Sequence, residues 1–202
     1  MTLIHRLSEN PLIDLKAWLD EATQLGLPEP NAITLATATR DAAPSARLVL
    51  CKAIEQDGIH FFTNYESRKS RELITNPKAT AVFFWPTLAR QVRVEGRVEK
   101  LSRKISEDYF RSRPRGSQIG AWVSHQSSEI PDYATLEATF AEKEKAFADQ
   151  DVPCPPHWGG FMIIPSSVEF WLGLPSRLHD RVLVSKISSG DKTVWQKKQL
   201  AP

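Results

Sequence analysis

Four groups of cationic and hydroxyl side chains carry the chemistry this sequence offers. Arg47 and Lys52 stand at the two ends of an apolar strand-like run. Ser67-Arg68-Lys69 opens a short predicted helix, where free backbone N–H groups, a hydroxyl and two cations make an anion site. Tyr109, Arg113 and Ser117 follow one another at intervals of four. Pro114 forbids one continuous helix through them, so they converge only across a bend. The last group is Arg177-Leu178-His179-Asp180-Arg181. In an extended segment Arg177, His179 and Arg181 share a face, and three potential cations on one face are costly without an anion to meet them. Each group also has a plainer reading. A Ser-Arg-Lys start serves as a solvated cap, and Arg111, Arg113 and Arg115 as a solvated turn. On their own, these clusters say that two phosphate-sized anions could be held, without naming the molecules.

Other catalytic apparatus is missing from the sequence. His5, His60, His125, His157 and His179 show no metal-type spacing with each other or with cysteine, so no metal site is expected. There is no Gly-x-Ser-x-Gly elbow and no Gly-rich strand-to-helix turn of the Rossmann or P-loop kind. Two anion sites without a metal or an activated nucleophile fit a chain that borrows its reactivity from an organic cofactor. The 41% apolar content, with six Trp and nine Phe, fills a core and excludes a disordered chain. A net charge of +2 from 26 basic and 24 acidic residues gives no case for a nucleic-acid partner. Cys51 and Cys154 lack a nearby cysteine and are expected as free thiols in a reducing compartment. No apolar run reaches membrane-span length and Met1 to Asn10 holds no secretory apolar stretch, so the cytoplasm is the expected location.

The elements that must position these groups are short and mostly extended. Asn10 caps a helix with Pro11 at its first position; Leu12, Leu15, Trp18, Leu19, Ala22 and Leu25 recur at helical spacing until Gly26 and Pro28. Strands are predicted at Ile33 to Thr39, Arg47 to Ile54 and Ile59 to Thr63, the last two joined at Asp57-Gly58. A short helix runs from Ser67 to Asn76. Two further strands follow, at Thr80 to Trp85 and Gln91 to Leu101. In the latter, Val92, Val94 and Val98 take one parity and Arg93, Glu95 and Arg97 the other. Ser102 caps a helix reaching about Ser112, and another follows Pro131 with Leu136, Phe140 and Phe147 on one side. The chain closes with strand-like segments at Phe161 to Ile164, Val168 to Trp171, Arg181 to Ile187 and Thr193 to Gln196. Such a succession favours an antiparallel barrel with few helices, in one domain over 1–202.

Read in order, the segments resemble one family. They are Arg47 to Lys52, Phe62-Thr-Asn-Tyr-Glu-Ser-Arg-Lys-Ser-Arg-Glu-Leu73, Arg90-Gln-Val-Arg-Val-Glu-Gly96, Ser112-Arg-Pro-Arg-Gly-Ser-Gln-Ile-Gly-Ala-Trp122, Val123-Ser-His-Gln-Ser-Ser128, Trp158-Gly-Gly-Phe161, Glu169-Phe-Trp171 and Arg177-Leu-His-Asp-Arg181. Their joint order is similar to that of the pyridoxamine/pyridoxine 5′-phosphate oxidases, from about Asn10 to Pro202. The resemblance implies an α+β fold, an antiparallel FMN-binding split β-barrel that forms a homodimer with FMN at the subunit interface. It implies oxidation of pyridoxamine or pyridoxine 5′-phosphate to pyridoxal 5′-phosphate, with O₂ as acceptor and hydrogen peroxide as product. By position, the implied FMN contacts are Arg47, Leu48, Val49, Leu50, Cys51, Lys52, Phe62, Thr63, Arg68, Lys69, Gln91, Gln126, Ser127, Trp171 and Arg181. The implied substrate contacts are Lys52, Tyr109, Arg113, Ser117, Arg177 and His179, with Arg177 and His179 over the reacting ring. Residues 167–202 would complete the interface site.

The sequence departs from the family pattern in three places. Residues 1–9 form a short N-terminal arm without the family's Arg-x-x-Tyr element. Leu172 follows Trp171 where Gln is usual, and Gln199 stands where the C-terminal motif has Arg. Two other functions are compatible with the same fold: a split-barrel flavin oxidase acting on another ring system, as in phenazine biosynthesis, and a non-catalytic carrier of flavin or pyridoxal phosphate. The intact Ser67-Arg68-Lys69 and Ser112-Arg113-Pro114 segments favour a phosphorylated substrate, and Arg177 and His179 favour catalysis over storage.

Overall fold

The computed structural model describes residues 2–189 and 192–202; residues 1, 190 and 191 lie outside it. The first helix, α1 (Pro11–Gln24), starts as the sequence dictates, with the Asn10 side chain accepting a hydrogen bond from the Leu12 amide. It buries Leu12, Leu15 and Ala22, and its Trp18 meets Phe170 edge-on at 5.2 Å. Four strands follow: β1 (Ala32–Ala38), β2 (Pro44–Leu50), β3 (Ala53–Ile54) and β4 (Ile59–Asn64). After α2 (Arg68–Thr75) come β5 (Lys78–Trp85) and β6 (Arg90–Lys100). Three helices, α3 (Arg103–Ser112), α4 (Arg115–Val123) and α5 (Tyr133–Ala146), precede β7 (Trp158–Leu172), β8 (Asp180–Ser189) and β9 (Lys192–Leu200). Among the described residues, no helix is long and apolar enough to cross a membrane.

All strand pairings are antiparallel, and the order β2-β1-β5-β6-β7-β4-β3 curls into a split barrel around one apolar core. The split is made by β7. One edge pairs with β6, whereas the other pairs with β4 over Trp158–Ile163 and with β8 over Ser167–Leu172. A bulge marks the changeover, where Glu95 faces Ser167 and the next residue, Gly96, faces Pro165. The extra residue, Ser166, flips side-chain parity, so Phe161 and Ile163 before it and Val168 and Phe170 after it all reach the core. That flip is why the sequence suggests two strands where one long strand exists. A Cβ at Gly96 would lie 2.1 Å from the Ile164 carbonyl oxygen, so only glycine permits this crossing.

Two expectations are corrected, and one helix is added. The run from Arg47 to Ile54 is not one strand. It leaves β1 at Leu50 and joins β4 at Ala53, pinned between by Cys51 N–H to Asn31 O (2.8 Å) and Lys52 N–H to His60 O (2.8 Å). Helix α4 is not apparent in the sequence because Gly116 and Gly120 dilute its apolar face of Ile119 and Val123. The face expected to align Arg177, His179 and Arg181 does not form. Pro175–Arg177 is a turn, with Ser176 and Arg177 left-handed at φ 58° and 60°. Each costs on the order of 1–2 kcal/mol for a non-glycine residue.

Candidate active site

A cleft of about 810 Å³ opens between strand β2, strand β4 and the α3–α4 bend. Its walls bring together Arg47, Leu48, Val49, Leu50, Lys52, Phe62, Thr63, Lys69 and Gln126 from the expected cofactor set. The same cleft takes Tyr109, Arg113 and Ser117 from the expected substrate set. Pro114 makes this possible. It ends α3 and caps α4, and the bend turns the three side chains into one space.

At one end stands Lys69, 8% exposed. Its ammonium donates to Thr63 Oγ1 (3.1 Å), Ser67 Oγ (3.2 Å) and Gln126 Oε1 (2.6 Å), all uncharged acceptors. Burial, then the nearby Arg47 charge, lowers its pKa to about 8. Ser67 precedes α2, but its hydroxyl turns to Lys69 and Ser70 rather than capping a backbone N–H. Glu72 orders the neighbouring cations. It accepts from Thr37 and Ser45, pairs with Arg68 Nε at 2.9 Å and lies 3.5 Å from Arg47 Nη2. Burial acts to raise the Glu72 pKa, but these hydrogen bonds and the Arg47 charge outweigh it and hold the carboxyl at about 2. Arg68 is bound to Glu72 and its amide donates to Ser127 Oγ (3.3 Å), so Arg68 and Ser127 flank the cleft rather than line it.

At the other end lies Arg113. Its guanidinium carbon sits 4.7 Å over the Trp158 ring and 5.6 Å from the Phe110 ring centroid, and Nη1 is buried with no hydrogen-bond partner among the described residues. Phe62 stacks on Tyr109 at 4.0 Å and on Trp158 at 5.6 Å, making an aromatic wall behind it. A buried donor without an acceptor is costly, and an anion in the cleft would satisfy it. Two cationic ends about one space suit a pair of phosphate-bearing molecules with their rings between.

The other expected residues do not line this cleft. Cys51 is buried in the link between β2 and β3, and burial raises its thiol pKa to about 12. Gln91 and Trp171 face each other across β6 and β7, and Trp171 faces Arg181 across β7 and β8. The His179 ring lies 4.6 Å from that of Trp171, and its Nδ1 accepts from the Leu174 amide (3.1 Å). Arg181 is not an unmet cation. Its Nε and Nη2 bind the buried Glu169 at 3.0 and 2.8 Å, and Nη1 donates to the Ala201 carbonyl at 2.9 Å. Sequence reasoning missed Glu72, Glu169 and the Trp158 shelf. Glu72 left a local signal in its i,i+4 spacing from Arg68, whereas Trp158 and Glu169 stood only within segments that carry the resemblance.

Comparison with known proteins places this geometry. The family described as "Pyridoxamine 5'-phosphate oxidase" matches residues 19–145, and the "Pyridoxine 5'-phosphate oxidase C-terminal dimerisation region" matches residues 158–202. Pyridoxine/pyridoxamine 5'-phosphate oxidases of Burkholderia mallei and Cupriavidus necator are each 51% identical over 193 residues, spanning 96% of this chain and 89% of theirs. Among solved structures, PhzG from Burkholderia lata, in complex with tetrahydrophenazine-1-carboxylic acid, superposes with a TM-score of 0.91. It is 30% identical and covers 98% of this chain and 96% of its own. A pyridoxamine 5'-phosphate oxidase-related, FMN-binding protein from Nostoc punctiforme shares the fold, with a TM-score of 0.76, 16% identity and coverage of 97% and 100%. From the matched segments and the extent of these likenesses, this chain belongs to the pyridoxine/pyridoxamine 5′-phosphate oxidase family.

Proposed function

We propose that the protein is an FMN-dependent oxidase that converts pyridoxamine or pyridoxine 5′-phosphate to pyridoxal 5′-phosphate. The observation carrying this reading is the single cleft that joins the Lys69 end to the Arg113 end, with Arg113 Nη1 buried and unpaired. The residues fit both guests. Lys69, Arg47 and Thr63, flanked by Arg68 and Ser127, would hold the FMN phosphate, with Gln126 beside them. Strand β2 would run along the flavin. Lys52, Tyr109, Arg113 and Ser117 would hold the substrate phosphate, Arg113 through two N–H groups at once.

FMN, when bound, supplies the two-electron acceptor that takes hydride from the substrate C4′ and passes both electrons to O₂, which leaves as H₂O₂. The protein's share is to fix two rings in near-contact, since hydride transfer depends on that geometry. Arg177 and His179 would orient C4′. They stand apart from the cleft of their own subunit, so we assign them, with Gln91, Trp171 and Arg181, to the cleft of a partner subunit. The dimerisation-region match over residues 158–202 supports this assignment, because all of these except Gln91 lie within it. The unpaired thiols Cys51 and Cys154 suit a reducing cytoplasm.

The test is anaerobic mixing with pyridoxine 5′-phosphate. The yellow protein should bleach stoichiometrically, and unphosphorylated pyridoxine should leave it coloured. The PhzG likeness supports a second reading, oxidation of a reduced phenazine carboxylic acid. A protein inert to both phosphorylated vitamers but bleached by tetrahydrophenazine-1-carboxylic acid would establish that reading instead.

A further inference from the structure

We propose that Asp180 is a positioning residue, tying the N-terminal segment to the Arg177–His179 turn and holding that turn in its working shape. Asp180 begins β8, directly after His179. Its Oδ2 accepts from the Leu3 amide at 2.8 Å and its Oδ1 from Gln199 Nε2 at 2.8 Å. Leu3 opens a short helical turn, Leu3–His5, whose Leu3 side chain is buried in the main core together with Leu7. Lys197 Nζ on β9 donates to the Leu7 carbonyl at 2.5 Å, fastening the far end of the segment. Residues 3–7 are therefore a packed strap against β8 and β9, and Asp180 is where the strap meets the turn.

Besides the contact of the His179 ring with Trp171, little else among the described residues holds the turn. Ser176 and Arg177 are both left-handed without being glycine, a conformation that persists only where surrounding contacts over-determine it. Its own hydrogen bonds are few: Leu174 N–H to His179 Nδ1 (3.1 Å), Leu178 N–H to Pro175 O (3.2 Å) and Gly173 N–H to Ala89 O (2.7 Å). The first and second would open if His179 or Leu178 drifted. A carboxylate anchored on both sides, one residue beyond His179, fixes the exit of the turn.

The test uses Asp180→Ala, Leu3→Pro and the double variant in the full chain. Proline is tolerated at the first position of a helical turn, Thr2 already has the extended backbone it requires (φ −73°, ψ 161°), and the change deletes the N–H donor. Amide hydrogen exchange at Leu174 and Leu178 should quicken about tenfold in each single variant, the size expected for one charge-assisted hydrogen bond. Leu3→Pro also removes a buried side chain, so the double variant should exchange faster than Asp180→Ala but more slowly than the product of the two single effects, because both changes remove the same contact. Unchanged exchange in Asp180→Ala, or multiplied effects in the double variant, would overturn the proposal. So would equal loosening of β1 and β5, since the contact would then serve the whole fold. The kinetic corollary rests on the proposed function: kcat should fall while KM, set by the Lys52–Arg113 grip, stays put. Exchange is read without any substrate, so a protein inert to the vitamers would refute that function and leave the strap standing.

Discussion

The guanidinium carbon of Arg113 lies 4.7 Å from the centroid of the Trp158 ring, and the residue lines the cleft with its Nη1 buried and, among the described residues, unpartnered. The indole face attracts the cation and fixes its plane, so the donor edge is aimed before any ligand arrives. Burial lowers the Arg113 pKa, with Tyr109 and Cys154 acting the other way. An anion docking there meets a cation that is already partly desolvated. Arg113→Ala should reduce kcat/KM for a phosphorylated vitamer by about 10- to 100-fold, the worth of hydrogen bonds to a charged group. Arg113→Lys should recover only part of this, because an ammonium cannot present two parallel N–H groups. Flavin content, read from absorbance, should stay at the wild-type level in both.

Lys69 predicts a pH dependence for the other end. Its folded pKa of about 8 lies below the ordinary lysine value, through burial first and Arg47 second. Binding an anionic phosphate favours the ammonium, so the complex holds a proton that the free protein has partly released above pH 8. FMN affinity should therefore be flat below pH 8 and weaken above it, by at most about tenfold per pH unit. Without ligand the sign reverses: the unfolded chain binds more protons between pH 8 and the ordinary lysine pKa, so apo stability gains from Lys69 as pH rises through that window. Fluorescence titration of FMN from pH 6 to 10 checks the first statement. Lys69→Arg should abolish the break at pH 8.

Glu72 governs the acid side. Its pKa of about 2 is below the usual glutamate value, and its side chain is 4% exposed. A depressed carboxylate contributes stability that is fully present above the ordinary carboxylate range and is lost as pH falls through its folded pKa. The shift corresponds to about 3 kcal/mol. Glu72→Gln should lower urea stability at pH 7 by that order and narrow the gap to wild type between pH 5 and pH 2.5. Equal pH slopes for the two proteins would contradict this role.

Most of the cleft was legible because its groups follow local rules. Pro114 forces the bend that gathers Tyr109, Arg113 and Ser117, and Asn10 and Ser102 cap the helices their positions announce. What escaped the sequence depends on contacts made far along the chain. Arg181 reads as a free cation until β7 places Glu169 beside it. The face shared by Arg177, His179 and Arg181 assumed an extended backbone, and two left-handed residues remove it. The docking of residues 3–7 against β8 and β9 involves partners near the opposite terminus, which no local pattern could indicate.

The bulge between β6 and β7 supplies a stability prediction. Gly96→Ala would place a methyl 2.1 Å from the Ile164 carbonyl oxygen, 2.7 Å from its carbon and 2.9 Å from Pro165 Cα, all backbone. No side-chain rotation relieves such a clash, so the strands must part at the changeover from β4 to β8. The cost should be at or above the overpacking range of about 1–3 kcal/mol, seen as a Tm lower by roughly 2–4 °C per kcal/mol for a chain of this size. A Tm within one degree of wild type would show that the bulge can relocate.

Sharing of the site between subunits can be tested by complementation. If each cleft takes its phosphate grip from one chain and its Arg177–His179 turn from the other, Arg113→Ala and Arg177→Ala damage the same site from opposite subunits. Each homodimer then has two damaged clefts. A mixed dimer has one cleft with both lesions and one with neither, because Arg113 of the Arg177→Ala chain meets Arg177 of the Arg113→Ala chain. Random reassembly makes half the dimers mixed, each with one of two sites intact, so activity should return to about a quarter of wild type. Arg177→Ala should retain its flavin, since the phosphate end of the cleft is built from Lys69, Thr63 and Arg47. A mixture no more active than its two components would place each site within a single chain. The separation of the Arg177 turn from the Arg113 cleft would then require a large movement of β8 toward β2.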